Sequence, residues 1–205
     1  MPSYYFIQSM YSECELLFNM AKIRDSRTTF IETSIKNSRI NHGIYIDIFP
    51  LDYYPEKPKQ QKCFDWQRRL LGWRIRREFT PINENKGTKR KELIQKAVGT
   101  LLCIKYPRAR EAIIAREKLY KSIHRGRLIA NYSSPWGKKE IVPADWYGDG
   151  VDAVFEGLPV RLPSKYDKWL TQVYGDYMQL PPEEKRVTHH YTEVIDIDKP
   201  YTEYI

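Results

Sequence analysis

Residues 43–50 read GIYIDIFP, and this short stretch constrains the chain more than any other. β-Branched and aromatic residues alternate across it, Gly43 precedes it, and Pro50 lacks the N–H that would extend a ladder, so a strand ending before Pro50 is predicted. Alternation puts Ile44, Ile46 and Ile48 on one face and Tyr45, Asp47 and Phe49 on the other. A carboxylate among large apolar side chains is costly to bury unless it is hydrogen-bonded or binds a cation. Two readings of Asp47 therefore stand: a cation ligand, or a carboxylate on a partly exposed edge strand, in water or paired with an arginine. Asp52, in the irregular exit LDYYPEKP, reads as an Asx-type partner of the local backbone.

Upstream, FNMAKIRDSRTTFI (residues 18–31) mixes branched, aromatic and charged residues in near alternation and predicts one or two strands. Lys22 and Arg24, two apart, then share a face, either solvated or gripping the oxygens of a phosphate. The middle is helical in pattern. One helix starts at Pro58 and runs toward Thr80 and Pro81, a second runs from near Thr88 to Pro107, and a third spans Ala109–His124 with Gly126 beyond it. The last third returns to strands at LIANY and at AVFEGLPVRLP, a hairpin turning around Gly157. Ser164 is placed to cap a helix over Lys165–Tyr174 that Gly175 would end. Strands and helices in this order predict an α/β (α+β) fold.

Charge is concentrated in that helical middle. Lys57–Arg127 holds 21 Lys and Arg against 6 Asp and Glu, a balance of +15, which leaves −7 for the remaining residues (13 basic against 20 acidic). Such a field attracts polyanions: nucleic acid, an anionic membrane face or a phosphate-rich substrate. Cys14, Cys63 and Cys103 are odd in number and widely spaced, which predicts neither a disulfide framework nor a zinc site and points to a reducing cytoplasm. No window approaches the roughly 18 to 20 apolar residues of a membrane-spanning helix.

Other polar residues carry two readings each. Glu156, interrupting an apolar run at a turn, is either a general acid or base or a water-exposed turn residue, and the same choice applies to Glu140. His189 and His190 are adjacent, so in a strand they face opposite ways and at most one enters a site. The phosphate-loop, dinucleotide and nucleophile-elbow motifs are absent, as are the signatures of sequence-specific nucleic-acid readers.

The ordered segments AKIRDSRTTFIE, GIYIDIFPLD, GKKE, VFEGLPVRLPSKYDKWL and YGDYMQLPPEEKR resemble the LicD family, which includes bacterial phosphocholine transferases and fukutin-type proteins. The likeness runs over nearly the whole chain, and the second and last segments are long enough to be specific. It implies one domain over residues 1–205, a partial nucleotidyltransferase-like mixed sheet with residues 57–127 as an inserted basic helical segment. It further implies a divalent cation, Mg2+, and a CDP-linked donor such as CDP-choline. Phosphocholine or a related phospho-alcohol would pass to a cell-surface or lipid-linked glycan. By the same likeness Asp47 would be a metal-binding catalytic carboxylate, Lys22 and Arg24 would bind the donor's pyrophosphate, and Glu156 would act near the acceptor. The family's paired metal-binding aspartates, in a PWDDDID-like motif, precede the region that Met1 matches, and no such motif occurs here. The expectation is a chain lacking its N-terminal part and weak or inactive alone, with an upstream half on a separate chain as a candidate partner. It would sit in the cytoplasm at the inner face of an anionic membrane. The alternative is a non-catalytic remnant that binds membrane or nucleic acid through its basic helices.

Overall fold

The computed structural model describes residues 1–13, 15, 18–78, 89–186 and 190–205. In chain order, β1 (Tyr5–Gln8), β2 (Ala21–Asp25), β3 (Thr29–Glu32), β4 (Ile44–Ile48) and β5 (Asp52–Tyr54) lead into α1 (Pro58–Glu78), α2 (Lys89–Lys105) and α3 (Ala109–Tyr120). There follow β6 (Leu128–Ala130), β7 (Ile141–Pro143), β8 (Val151–Phe155), β9 (Leu158–Leu162), α4 (Tyr166–Tyr174) and β10 (Thr192–Asp196). Every strand pair among these is antiparallel, so the fold is mixed helix and antiparallel sheet, as expected at the level of class. The chain forms two compact units: Met1–Phe49, Arg69–Ala115 and Arg186–Ile205 make the first, Pro50–Arg68 and Arg116–Lys185 the second.

In the first unit β2 lies between β1 and β4, while β3 pairs with the distant β10. The three-stranded sheet buries its polar face. Lys22 and Arg24 of β2 are 6% and 0% exposed, whereas Ile7, Ile46 and Ile48 on the opposite face are 54%, 64% and 43% exposed. Apolar packing in this unit comes instead from residues such as Ile31, Ile40, Ile75, Ala112 and Ile113, all buried. Arg74 on α1 donates from Nε to the Tyr106 carbonyl (2.6 Å) and from Nη2 to that of Pro107 (2.6 Å), satisfying backbone acceptors just past the end of α2.

In the second unit β5, β6 and β7 form one sheet and β8 and β9 a hairpin. Tyr54, Phe64, Tyr120 and Ala130 make its core, with Tyr132 stacked 4.2 Å from Tyr120. The hairpin turns at Glu156 and Gly157, with φ of 50° and 79°, the left-handed pair that a two-residue turn of this hand demands. Glu156 is a poor occupant of that conformation. Glu156→Asn is therefore expected to stabilise the protein by about 0.5–1 kcal/mol, read as a raised midpoint in urea unfolding.

Three local expectations are corrected. α3 ends at Tyr120, short of His124, because Ser122 turns back on the chain: its N–H and its hydroxyl both donate to the Leu119 carbonyl (3.2 and 2.7 Å). Ser164 does not cap α4; its hydroxyl accepts the Gly150 N–H (2.9 Å) instead. Asp52 is not in a turn but opens β5 opposite Ala130, and half-burial raises its carboxyl above the ordinary range. Cys14, Thr80, Pro81, Thr88 and His189 lie outside the described residues.

Candidate active-site cleft

The register of β2 against β4 sets Lys22 opposite Asp47 and Arg24 opposite Tyr45, all four on one face, where Lys22 and Arg24 are buried and Asp47 is partly exposed. The Lys22 ammonium is 3.2 Å from Asp47 Oδ1 and 3.3 Å from the centroid of the Tyr45 ring. Burial lowers the Lys22 pKa, and the Asp47 and Glu32 carboxylates oppose that shift. Arg24 lies behind it, its Cζ 4.4 Å from the same ring. Its Nε donates to Gln8 Oε1 and its Nη1 to the Gly43 carbonyl, both at 2.7 Å. Nη2, also buried, has no hydrogen-bond partner among the described residues and stands 3.9 Å from Glu32 Oε2.

In front of this layer is a cleft of about 220 Å³ lined by Phe30, Ile44, Tyr45, Asp47 and His190. β3 supplies Phe30, β4 the next three, and the segment entering β10 supplies His190. His190 Nδ1 lies 3.4 Å from the Tyr45 hydroxyl and 3.6 Å from Glu32 Oε1. The Tyr45 pKa is raised, first by burial and then by the Glu32 and Asp47 charges, so its hydroxyl stays protonated and able to donate at neutral pH. The floor is thus two cations and two carboxylates arranged around an aromatic ring, with an apolar wall and an imidazole at the rim.

Of the residues expected from the sequence, Asp47 lines the cleft, and Lys22 and Arg24 form the layer beneath it. Glu156 lies in the second unit, exposed at the tip of the β8–β9 hairpin. Glu140 is buried there and accepts a hydrogen bond from the Ser134 hydroxyl. Sequence reasoning did not single out Tyr45, Phe30 or Glu32. Tyr45 was findable, since it shares the Asp47 face two residues away; the other two depend on the β3–β10 pairing, which no local pattern announces.

Asp47 does not by itself fit a divalent cation. Its near neighbour is an ammonium, and no three His, Cys, Asp or Glu side chains among the described residues converge as metal ligands. No helix among them is long and apolar enough to cross a membrane.

Fold and cleft together define an α/β protein with a charge-floored pocket on an antiparallel sheet. No family model and no solved structure matches the chain. A curated protein does: over 176 residues, 85% of this chain, it is 28% identical to the lipopolysaccharide cholinephosphotransferase LicD of Haemophilus influenzae. The chain is thus similar to a LicD protein over most of its own length. It spans 63% of that relative's length.

Proposed function

We propose that this chain carries the donor-binding part of a LicD-type phosphotransferase, which moves phosphocholine or a related phospho-alcohol from a CDP-linked donor to a cell-surface or lipid-linked glycan. The observation that carries the reading is the likeness to LicD over 85% of the chain. The cleft supports it in chemistry. A diphosphate needs buried cations with donors to spare, and Lys22 is a three-donor ammonium while Arg24 Nη2 is a buried donor still without a hydrogen bond.

In this reading Lys22 turns part of its charge from Asp47 to a phosphate oxygen, and the protonated Tyr45 hydroxyl donates to a second oxygen. Asp47, held beside Lys22, fixes the direction of the ammonium and keeps the anion from settling too deep. Phe30 and Ile44 exclude water from one side, which strengthens each of these contacts. A divalent cation would supply Lewis-acid stabilisation of the transferring phosphoryl group. The described residues offer no ligand set for one, so what Lys22, Tyr45 and Asp47 supply themselves is the binding and orientation of the donor.

Calorimetric titration of the purified chain with CDP-choline tests the proposal. Saturable binding, competed by CDP and not by choline, is expected. Absence of binding, with binding to anionic polymers retained, would favour the non-catalytic reading instead. In a complete enzyme of this type, Asp47→Asn is expected to lower transfer from CDP-choline by loosening the hold on the Lys22 ammonium, and turnover like that of the wild type would remove Asp47 from the mechanism.

A further inference from the structure

α2 is apolar on two sides. One side packs: a Cβ on Gly99 would stand 3.0 Å from the Trp73 carbonyl oxygen, so the backbones of α1 and α2 approach closely there, and Arg77 Nε donates to the Thr100 hydroxyl at 3.2 Å. The other side is bare. Leu93, Leu101 and Ile104 are 68%, 66% and 85% exposed, Ile94 is 47% exposed, and Ala97 between them is exposed as well. At helical spacing these five residues fall within one stripe about 100° wide, with Lys96 on one flank and Lys105 on the other. The helix carries five Lys or Arg and one Glu, within the segment whose balance is +15.

We infer that the exposed stripe of α2 lies in the surface of an anionic lipid bilayer. Exposed leucine and isoleucine side chains between lysines match the boundary between acyl chains and anionic headgroups, where the aliphatic groups leave water and the ammonium groups meet phosphate. Nucleic acid would use the lysines and leave the aliphatic stripe in water. At 17 residues the helix is about 26 Å long, too short for a bilayer core of about 30 Å, and lies along the surface rather than across it. Lipid binding by α2 does not depend on what the cleft binds, since it involves a different element and a different ligand.

Co-sedimentation of the full chain with phosphatidylcholine vesicles, with and without phosphatidylglycerol, tests it. Binding to the anionic vesicles is expected, weakened by salt, and reduced about tenfold or more by Leu101→Glu combined with Ile104→Glu. Both positions are exposed, so an unchanged far-UV circular dichroism spectrum is expected with the loss. Lys96→Glu with Lys105→Glu should weaken binding to anionic vesicles without creating affinity for neutral ones. Wild-type protein that stays in solution, undiminished binding by the Leu101 and Ile104 double variant, or a stable dimer that this variant dissolves would each overturn the assignment. Duplex DNA binding in place of vesicle binding would do so too.

Discussion

Arg24→Ala is expected to destabilise the first unit by about 3–5 kcal/mol. The guanidinium is wholly buried, and its loss strands two acceptors, Gln8 Oε1 and the Gly43 carbonyl, and takes the nearby positive charge from the Glu32 carboxylate. It also removes the cation from the back of the Tyr45 ring, where cation–π attraction is stronger for want of water. Arg24→Lys should recover little, because an ammonium cannot serve Gln8 and Gly43 through the fixed fork that a guanidinium provides. Urea unfolding followed by circular dichroism measures both variants. A midpoint for Arg24→Ala within error of the wild type would show that the buried charge is dispensable.

Gly43→Ala should cost about 3 kcal/mol, for a reason that has nothing to do with charge. A Cβ at this position would stand 2.1 Å from the Asp25 carbonyl oxygen and 2.7 Å from its carbon, and both are backbone atoms of the neighbouring strand. Relief requires β4 to move off β2. That movement also disturbs the Gly43 carbonyl that Arg24 holds and the Gly43 N–H that donates to Asn41 Oδ1 at 2.9 Å. The control is Gly72→Ala, within α1, where a Cβ meets nothing within 4 Å and helix propensity alone should stabilise by roughly 0.5–1 kcal/mol. Opposite signs for the two substitutions in the same urea experiment are the expected result. Equal and small effects would mean that the β2–β4 spacing gives way more easily than the geometry implies.

Much of this arrangement was readable in residue order wherever a period of two or of 3.6 decided it. Alternation in IYIDIF gave the strand and placed Tyr45 with Asp47; the two-residue spacing of Lys22 and Arg24 gave their common face; Gly157 marked the hairpin turn. Pairing across sequence distance was not readable. That Lys22 meets Asp47, and that Glu32 and Phe30 meet His190 through the pairing of β3 with β10, follows from tertiary contacts that leave no local trace. The misjudged ends have the same origin in reverse. Ser122 and Ser164 each hold several hydrogen-bond options, and the fold, not propensity, chose among them.

The sheet also explains why the two cations matter. Burying Lys22 and Arg24 while Ile46 and Ile48 face outward inverts the usual pattern of a half-exposed sheet, and a protein tolerates such an arrangement when the polar face has a task. Stability alone would be served as well by apolar replacements at those positions. Arg24 is tied into the backbone and cannot be removed without structural loss. Lys22, held by an ion pair to the partly exposed Asp47 and by the Tyr45 ring and not tied to the backbone by a hydrogen bond among the described residues, offers the cleaner probe.

The most direct test of donor binding is calorimetric titration of CDP-choline into the wild-type chain and into Lys22→Gln. Saturable binding by the wild type is the predicted result, weakened about tenfold or more in the variant by the loss of one charge-assisted contact, with the urea midpoint little changed. Equal affinity in the two proteins, or no binding by either, would contradict it.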